Sequence, residues 1–237
     1  MGRLVNEMNE KIQIEEVLER KGEKAKIRVS GRVFHPSGGG QPGDSGRLES
    51  ESFKARVLDC RTSNEGDVLD IVVKEGDIPL GRPIDATVDF ERNRRFSRMH
   101  TAEHILSRTL ENQLPGLDVQ KVSIGEKESV VFMTYPGDIA WDDLFRAEEA
   151  ANRVIAADLP VGVKRVSRER DDSFEGVKIK WDRIDEREVT IVTIGEFDSM
   201  ACSGSHVGST SEVGGVVVTG FKGGNGQWEV KFTVDRQ

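Results

Sequence analysis

Residues 91–112 read ERNRRFSRMHTAEHILSRTLEN, and this stretch decides how the rest of the chain is interpreted. Its apolar residues recur every three or four positions, which places their side chains on one face of a helix. They are Phe96, Met99, Ala102, Leu106 and Leu110. A Pro-Gly pair at positions 115 and 116 would end such a helix. The pattern predicts an amphipathic helix over residues 91–112.

Two pairs of metal-binding side chains occur in the sequence, each four residues apart. His100 and His104 lie one turn apart on the predicted helix, so both imidazoles project from one face. Cys202 and His206 belong to a Cys-Ser-Gly-Ser-His segment whose small residues predict a loop. These pairs hold three of the four histidines in the chain, which an even scatter would not produce. Because Zn²⁺ prefers nitrogen and sulfur ligands, the four residues predict a zinc site and favour a zinc hydrolase.

The sequence leaves the coordination of this zinc open. Four protein ligands make a closed, structural site, whereas catalysis needs a position for water or substrate. Either one ligand, such as His206, binds loosely, or the zinc expands its coordination when substrate arrives. In the open form the catalytic group would be a zinc-bound water, with no side chain assigned to that role.

Two other interpretations of the motifs remain open. His-Thr-Ala-Glu-His also matches the inverted zinc-protease motif, in which Glu103 would be the general base. A zinc peptidase leaves Cys202 and His206 unexplained and ranks second. The third interpretation is a non-catalytic RNA-binding module with a structural zinc.

The regions on either side of the helix differ in character. Four stretches before it read as short strands separated by glycines and polar residues: 26–33, 53–58, 68–73 and 84–90. They predict a small β-barrel-like domain over residues 1–90. After it, a second helix at 141–157 is mixed with strands at 119–124, 129–134, 161–166, 189–194, 213–219 and 228–234. No regular alternation of strand and helix appears, so the fold class is α+β, with a second domain over residues 91–237.

The composition is that of an ordinary water-soluble protein. The net charge is −8, which argues against a protein that coats nucleic acid indiscriminately. A local basic patch remains available just before His100, at Arg92, Arg94, Arg95 and Arg98. Because no apolar run approaches a membrane span and residues 1–11 lack a signal-peptide core, we expect a cytoplasmic protein. If Cys202 is a ligand, Cys60 is a free thiol, which suits a reducing compartment.

A glycine-rich segment, FHPSGGGQPGDSG over residues 34–46, is the other unusual feature. It is either a flexible loop between strands or a backbone that approaches an RNA end or a domain interface closely. It is not a phosphate-binding Walker loop, because no Gly-Lys-Ser/Thr follows.

Four motifs together resemble the freestanding alanyl-tRNA editing proteins of the AlaX type, and the editing domain of alanyl-tRNA synthetase. They are GGGQPGD at 38–44, HTAEH at 100–104, SIGE at 123–126 and CSGSHV at 202–207, in the family's order. The glycine-rich N-terminal domain without a long C-terminal extension is similar to the medium-length subgroup. The chain departs from the usual Cys-Gly-Gly-Thr-His at Ser203 and Ser205, and has His35 where the family commonly has Tyr.

The resemblance implies hydrolysis of the ester between serine or glycine and alanine tRNA, with zinc as cofactor and mischarged tRNA as partner. The second domain would then be the editing domain. Thr101 and Ser205 are the candidates for contact with the substrate's serine hydroxyl, since rejection of alanine requires a polar partner. We expect the tRNA backbone to lie along Arg92, Arg94, Arg95 and Arg98, and the glycine-rich segment to help position it, through Gly38, Gly39, Gly40 and Gln41.

Overall fold

A computed structural model of the chain describes residues 9–169, 174–184 and 187–235. It divides into two compact units, with the boundary between Arg94 and Arg95. This boundary falls inside the first helix, α1 (Phe90–Gln113). The sequence of residues 1–11 was not expected to form a signal peptide. Residues 1–8 of this segment lie outside the described residues.

The first unit is a closed antiparallel barrel of six strands, in the order β1-β2-β5-β4-β3-β6. The strands are β1 (Asn9–Lys21), β2 (Lys24–Val29), β3 (Gly46–Ser50), β4 (Phe53–Ser63), β5 (Gly66–Glu75) and β6 (Pro83–Val88). Buried and more exposed residues alternate along β5, as expected when one face of each strand lines a barrel interior. The predicted barrel-like sheet is confirmed.

Two predicted strands in this unit end earlier than expected, and two strands were not predicted. The strand expected over 26–33 ends at Val29, and Gly31 then takes a positive φ of 79° that a continuing strand would not adopt. The strand expected over 84–90 ends at Val88, because Phe90 already begins α1. The sequence did not indicate β1 or β3, although β1 pairs with both β2 and β6 to help close the barrel.

The second unit contains most of α1, the helix α2 (Trp141–Ala156) and two antiparallel sheets. Its strands are β7 (Asp118–Ser123), β8 (Ser129–Thr134), β9 (Val161–Ser167), β10 (Glu188–Ile194), β11 (Asp198–Ala201), β12 (Val216–Gly224) and β13 (Gln227–Val234). One sheet has the order β11-β10-β9 and the other β12-β13-β8-β7. This mixture confirms the α+β class.

The apolar stripe of α1 forms much of the core of the second unit, but the helix is buried on its polar side as well. Its buried polar residues include His100, Thr101, Glu103 and His104. The prediction of a simple amphipathic helix was therefore incomplete, because polar partners from other elements cover this side. No helix within the described residues has an apolar stretch sufficient to cross a membrane.

Two further differences concern the end of the chain. The strand predicted over 213–219 begins only at Val216, because Thr210–Val213 forms a 3-10 turn. The short strand β11 was not indicated by the sequence. It is important for the site, because it leads directly into Cys202.

Candidate metal centre

Helix α1 presents His100 and His104 on the same side, as the four-residue spacing requires. Their ring centroids lie 5.5 Å apart, and each residue is only 1% exposed. Such burial of two imidazoles is costly unless their nitrogens find partners.

The loop after β11 carries the second pair to the helix. β11 pairs with β10, and the backbone N–H of Cys202 donates to the carbonyl of Thr190 at 3.0 Å. Gly204 then passes directly over His100: a Cβ at this position would lie 1.9 Å from its Cε1. Only a residue without a side chain allows this approach. No role was predicted for Gly204 from the sequence, although it lies between the two predicted ligands Cys202 and His206.

The four predicted ligands meet at one point. The ligand atoms of His100, His104, Cys202 and His206 all lie within 4.8 Å of one another. The ring of His206 is 4.8 Å from that of His100 and 4.6 Å from that of His104, and Cys202 Sγ lies 3.4 Å from His100 Nε2. Among the residues that the structure describes, this is the one such group of metal-binding side chains.

Thr101 determines which nitrogen of His206 faces this cluster. The Thr101 hydroxyl donates to the carbonyl of Ser97 at 2.9 Å and accepts from the backbone N–H of Val207 at 3.3 Å. Its oxygen is also 3.1 Å from His206 Nδ1. Since the hydroxyl proton is used by Ser97, Nδ1 must carry the proton in the third contact. The lone pair of His206 is therefore on Nε2.

The surroundings of His206 fit a metal ligand. Its Nε2 is buried and has no hydrogen-bond partner in the structure. Burial also lowers the pKa of His206 to about 3, so that its imidazole is neutral at neutral pH. A neutral imidazole with one unsatisfied lone pair is the form that binds zinc.

The partly buried Cys202 and the buried His104 form a charged pair. Burial alone would raise the pKa of the Cys202 thiol, but the imidazoles of His100 and His104 lower it well below its usual range. Burial lowers the pKa of His104, while the Cys202 thiolate and Asp198 outweigh this effect and raise it. Cys202 is thus held as the thiolate, which is the metal-binding form.

The two candidates for contact with substrate both lie in this region. Thr101 is fully buried and makes the three contacts described above. Ser205 is 4% exposed, and its hydroxyl accepts a hydrogen bond from the Ser97 hydroxyl at 2.8 Å. Ser97, which joins the helix to the loop that carries Cys202 and His206, was not predicted from the sequence.

Glu103, the base of the alternative peptidase interpretation, is not part of the cluster. It is buried, and its carboxylate accepts a hydrogen bond from Ser107 at 2.5 Å. This contact is one turn along α1, as expected for residues four positions apart. The structure gives the peptidase interpretation no support.

In the barrel unit, the Gly38–Gln41 segment forms a tight turn, here called the glycine turn. Gly38 and Gln41 exchange backbone hydrogen bonds of 3.0 and 2.9 Å, and Gly39 and Gly40 take positive φ angles of 58° and 81°. Both glycines are exposed at the tip, whereas Gln41 is buried. The tip backbone is accessible without a side chain over it, as a backbone approach to RNA requires.

Asp44 holds the rest of the glycine-rich segment in place. Its carboxylate accepts from the backbone N–H of His35 at 2.8 Å and from the side chain of Asn93 at 2.8 and 3.0 Å. Burial raises the pKa of Asp44, although Asn93 and His35 oppose this effect. The segment is therefore an ordered part of the barrel unit.

The four predicted tRNA-contacting arginines differ in their surroundings. In the first unit, Arg92 donates to the carbonyl of Gly43 at 2.8 Å, while Arg94 is exposed. In the second unit, Arg95 is exposed, 3.9 Å from Glu126. Arg98 donates to the carbonyls of Val213 and Asp235 at 2.7 and 2.6 Å. Arg94 and Arg95 are thus more accessible to a ligand in solution than Arg92 and Arg98, which donate to backbone carbonyls.

Comparison with known proteins agrees with the site. Residues 189–229, which include Cys202 and His206, match the family model of the threonyl and alanyl tRNA synthetase second additional domain. The alanyl-tRNA editing protein AlaX-L of Pyrococcus horikoshii is 32% identical over 233 residues, which are 98% of this chain and 54% of that protein. The chain resembles alanyl-tRNA editing proteins.

Alanine–tRNA ligases are also similar to this chain. That of Acetivibrio thermocellus is 27% identical over 206 residues, or 86% of this chain and 23% of the ligase. That of Pyrobaculum neutrophilum is 33% identical over 191 residues, or 77% of this chain and 21% of the ligase. The chain thus spans about half of the editing relative and less than a quarter of these ligases. The resemblance inferred from the motifs is confirmed, while the medium-length subgroup stays a prediction.

Proposed function

We propose that this chain is a zinc-dependent deacylase that removes serine or glycine from wrongly charged alanine tRNA in the cytoplasm. The observation that carries the proposal is the convergence of three histidines and a cysteine within 4.8 Å, in a chain that resembles alanyl-tRNA editing proteins. The donor set, the thiolate form of Cys202 and the unsatisfied Nε2 of His206 all suit Zn²⁺.

The proposed chemistry is hydrolysis of the ester that joins the amino acid to the tRNA. A bound zinc would supply Lewis acidity, polarising the ester carbonyl and activating water. Two of the ligands are already in the protonation states that zinc requires: Cys202 as thiolate and His206 as neutral imidazole with its proton on Nδ1. Burial of the three histidines strengthens each electrostatic contact within the site.

The proposed discrimination between serine and alanine rests on the serine hydroxyl, whereas glycine, which lacks this group, is proposed as a substrate from the resemblance alone. A site that hydrogen-bonds this group rejects alanine, because alanine leaves buried polar atoms unpaired. Thr101 and Ser205 are the candidate partners, and Thr101 already uses its one proton and both lone pairs within the protein.

We also propose that the barrel unit positions the tRNA. The glycine turn offers exposed backbone N–H and carbonyl groups, and Arg94 an exposed guanidinium. In the second unit, Arg95 is the corresponding candidate for a phosphate contact. Such contacts fix the position of a nucleic acid without reading its sequence.

The decisive experiment uses alanine tRNA charged separately with serine, glycine and alanine. The protein should deacylate the first two and leave alanine attached, and a zinc chelator should abolish the activity. Equal cleavage of all three would contradict an editing function. Binding of tRNA without deacylation would instead indicate a non-catalytic module, and peptide hydrolysis sensitive to Glu103→Gln would indicate a peptidase.

Metal analysis tests the cofactor independently. The purified protein should carry about one zinc per chain, and Cys202→Ala or His104→Ala should remove most of it. Cys60→Ala is the matched control, because Cys60 is the other cysteine and lies in the barrel unit. Full zinc content in both ligand variants would show that the metal is not bound here.

A further inference from the structure

A buried carboxylate faces the metal ligand His104 from the side away from the cluster. Asp198, on β11, lies four residues before Cys202 and is only 6% exposed. Its Oδ2 is 3.6 Å from His104 Nδ1, an ion-pair distance rather than a direct hydrogen bond. Asp198 belongs to none of the sequence motifs, and the strand β11 that contains it was not predicted from the sequence.

Arg108 fixes the position of this carboxylate. It lies one turn after His104 on α1, and its Nε and Nη2 donate to Asp198 Oδ1 at 2.7 and 2.6 Å. A guanidinium that contacts a carboxylate through two nitrogens constrains both groups in angle as well as distance. Asp198 therefore cannot turn away from His104 without breaking two short, charge-assisted bonds.

The contacts extend from Arg108 to the surface of the second unit. Arg108 also lies 3.6 Å from Glu111, and the Glu111 carboxylate accepts from Lys178. Charges alternate in sign along Lys178, Glu111, Arg108 and Asp198, so each group has an opposite neighbour. This arrangement allows Asp198 to remain ionised although it is buried.

We propose that Asp198, held by Arg108, is a positioning residue for the metal ligand His104. When zinc takes the place of the proton on Nε2, a carboxylate facing Nδ1 keeps the remaining proton on that nitrogen, which leaves the Nε2 lone pair for the metal. Asp198 thus favours a proton on Nδ1 of His104, as Thr101 does on Nδ1 of His206. The inference rests on the proposed function, because it requires that the cluster binds zinc.

A purely structural role is the competing explanation. The Arg108–Asp198 pair joins α1 to β11, and its loss could lower stability without changing the metal site. The two explanations differ in what they predict for zinc affinity in a folded protein. Partners behind a metal-binding histidine typically contribute about 10–100-fold to metal affinity.

The test compares zinc affinity in the full chain by competition with a chromogenic chelator. Asp198→Asn keeps the size of the side chain and an oxygen that can accept from Arg108, but removes the charge facing His104. We expect the zinc dissociation constant to rise about 10–100-fold, and the visible spectrum of the cobalt-substituted protein to change. Asp142→Asn, the same change at an exposed position on α2, should alter neither property.

Arg108→Gln is the second variant in this measurement of zinc affinity. It leaves Asp198 in place but removes its anchor, and should weaken zinc binding by less than Asp198→Asn does. The double variant should be less affected than the product of the two single effects, since both act through one contact. If Asp198→Asn does not fold, Arg108→Gln decides the question.

The outcomes separate this inference from the proposed function. Wild-type zinc affinity in folded Asp198→Asn, or in Arg108→Gln where the former does not fold, would overturn the positioning role and leave the zinc site intact. Absence of zinc binding in the wild-type protein would instead refute the cofactor on which the proposed function depends.

Discussion

The hydroxyl of Thr101 makes three contacts, and together they limit what its neighbours can do. Because it donates to Ser97, it can only accept from His206 Nδ1, which fixes the tautomer of that ligand. The sequence placed Thr101 beside a ligand and predicted contact with a substrate hydroxyl. In the structure its bonding capacity is used by the protein, so an experiment must separate the two roles.

Thr101→Val keeps the shape of the side chain and removes the hydroxyl. It leaves the N–H groups of His206 and Val207 without this acceptor, at a cost of about 1–3 kcal/mol per buried group. We expect weaker zinc binding and an equal loss of activity on serine-charged and glycine-charged tRNA. Thr109→Val is the matched control, since Thr109 bonds the Ile105 carbonyl on the same helix without contacting a ligand. A selective loss on the serine substrate would restore the substrate role.

Gly204 is the residue whose replacement should damage the metal site most directly. An alanine Cβ would lie 1.9 Å from Cε1 and 2.0 Å from Nδ1 of His100, so the loop or the ring would have to move. Gly204→Ala is therefore expected to lose most of its zinc while far-UV circular dichroism stays unchanged. Ser203→Ala, one position earlier and exposed, should keep its zinc. Normal zinc content in Gly204→Ala would mean that the loop relaxes without cost.

At the scale of elements, the site depends on one helix and one short strand. The four-residue spacing on α1 brings two ligands together without help from the rest of the fold. The other two ligands reach it because β11 pairs with β10 and delivers Cys202 to the helix. In the barrel, a comparable close approach joins the glycine-rich segment to β4, at Gly43 and Cys60.

Gly43→Ala tests this second approach. Its Cβ would lie 2.2 Å from the Cys60 carbonyl oxygen, and backbone atoms cannot move aside as a flexible side chain can. We expect it to destabilise the barrel by about 3 kcal/mol or more. Gly22→Ala is the control. The φ of Gly22 is 62°, but an added Cβ would have nothing within 4 Å. We therefore expect the free energy of unfolding to fall only by the about 1–2 kcal/mol that an alanine loses in a left-handed conformation. Chemical denaturation compares the two, and equal midpoints would count against the steric argument.

At the scale of the whole molecule, the chain combines two units that each have a core of their own. The metal ligands all belong to the second unit, and the glycine turn belongs to the first. The proposed division of labour, with recognition in the barrel and hydrolysis in the other unit, follows from this distribution.

A truncated protein that starts at Asp89 tests this division. It retains all four ligands and should bind zinc and deacylate serine-charged alanine tRNA. We expect it to cleave other serine-charged tRNAs nearly as well, because the barrel that would recognise alanine tRNA is gone. The full-length protein in the same assay is the reference. Undiminished preference for alanine tRNA in the truncated protein would place recognition in the second unit.

Local pattern determined much of what the sequence predicts correctly. Alternation in β5 and helical spacing in α1 and α2 reflect the periodicity of each element, which is set by neighbouring residues. The His100–His104 pair is local in the same sense. The strand β1 is rich in charged residues with little clear alternation, and β3 and β11 are only five and four residues long, so their pairing partners rather than their own sequence define them.

The sequence by itself determined the α+β class, the barrel-like start, the four ligand candidates and the resemblance to alanyl-tRNA editing proteins. Only the tertiary structure brought Cys202 and His206 to α1, placed Asp198 behind His104, and committed the hydroxyl of Thr101 to His206. The physical reason is separation along the chain. About a hundred residues lie between these partners, and no periodicity links positions that meet only when the sheets have formed.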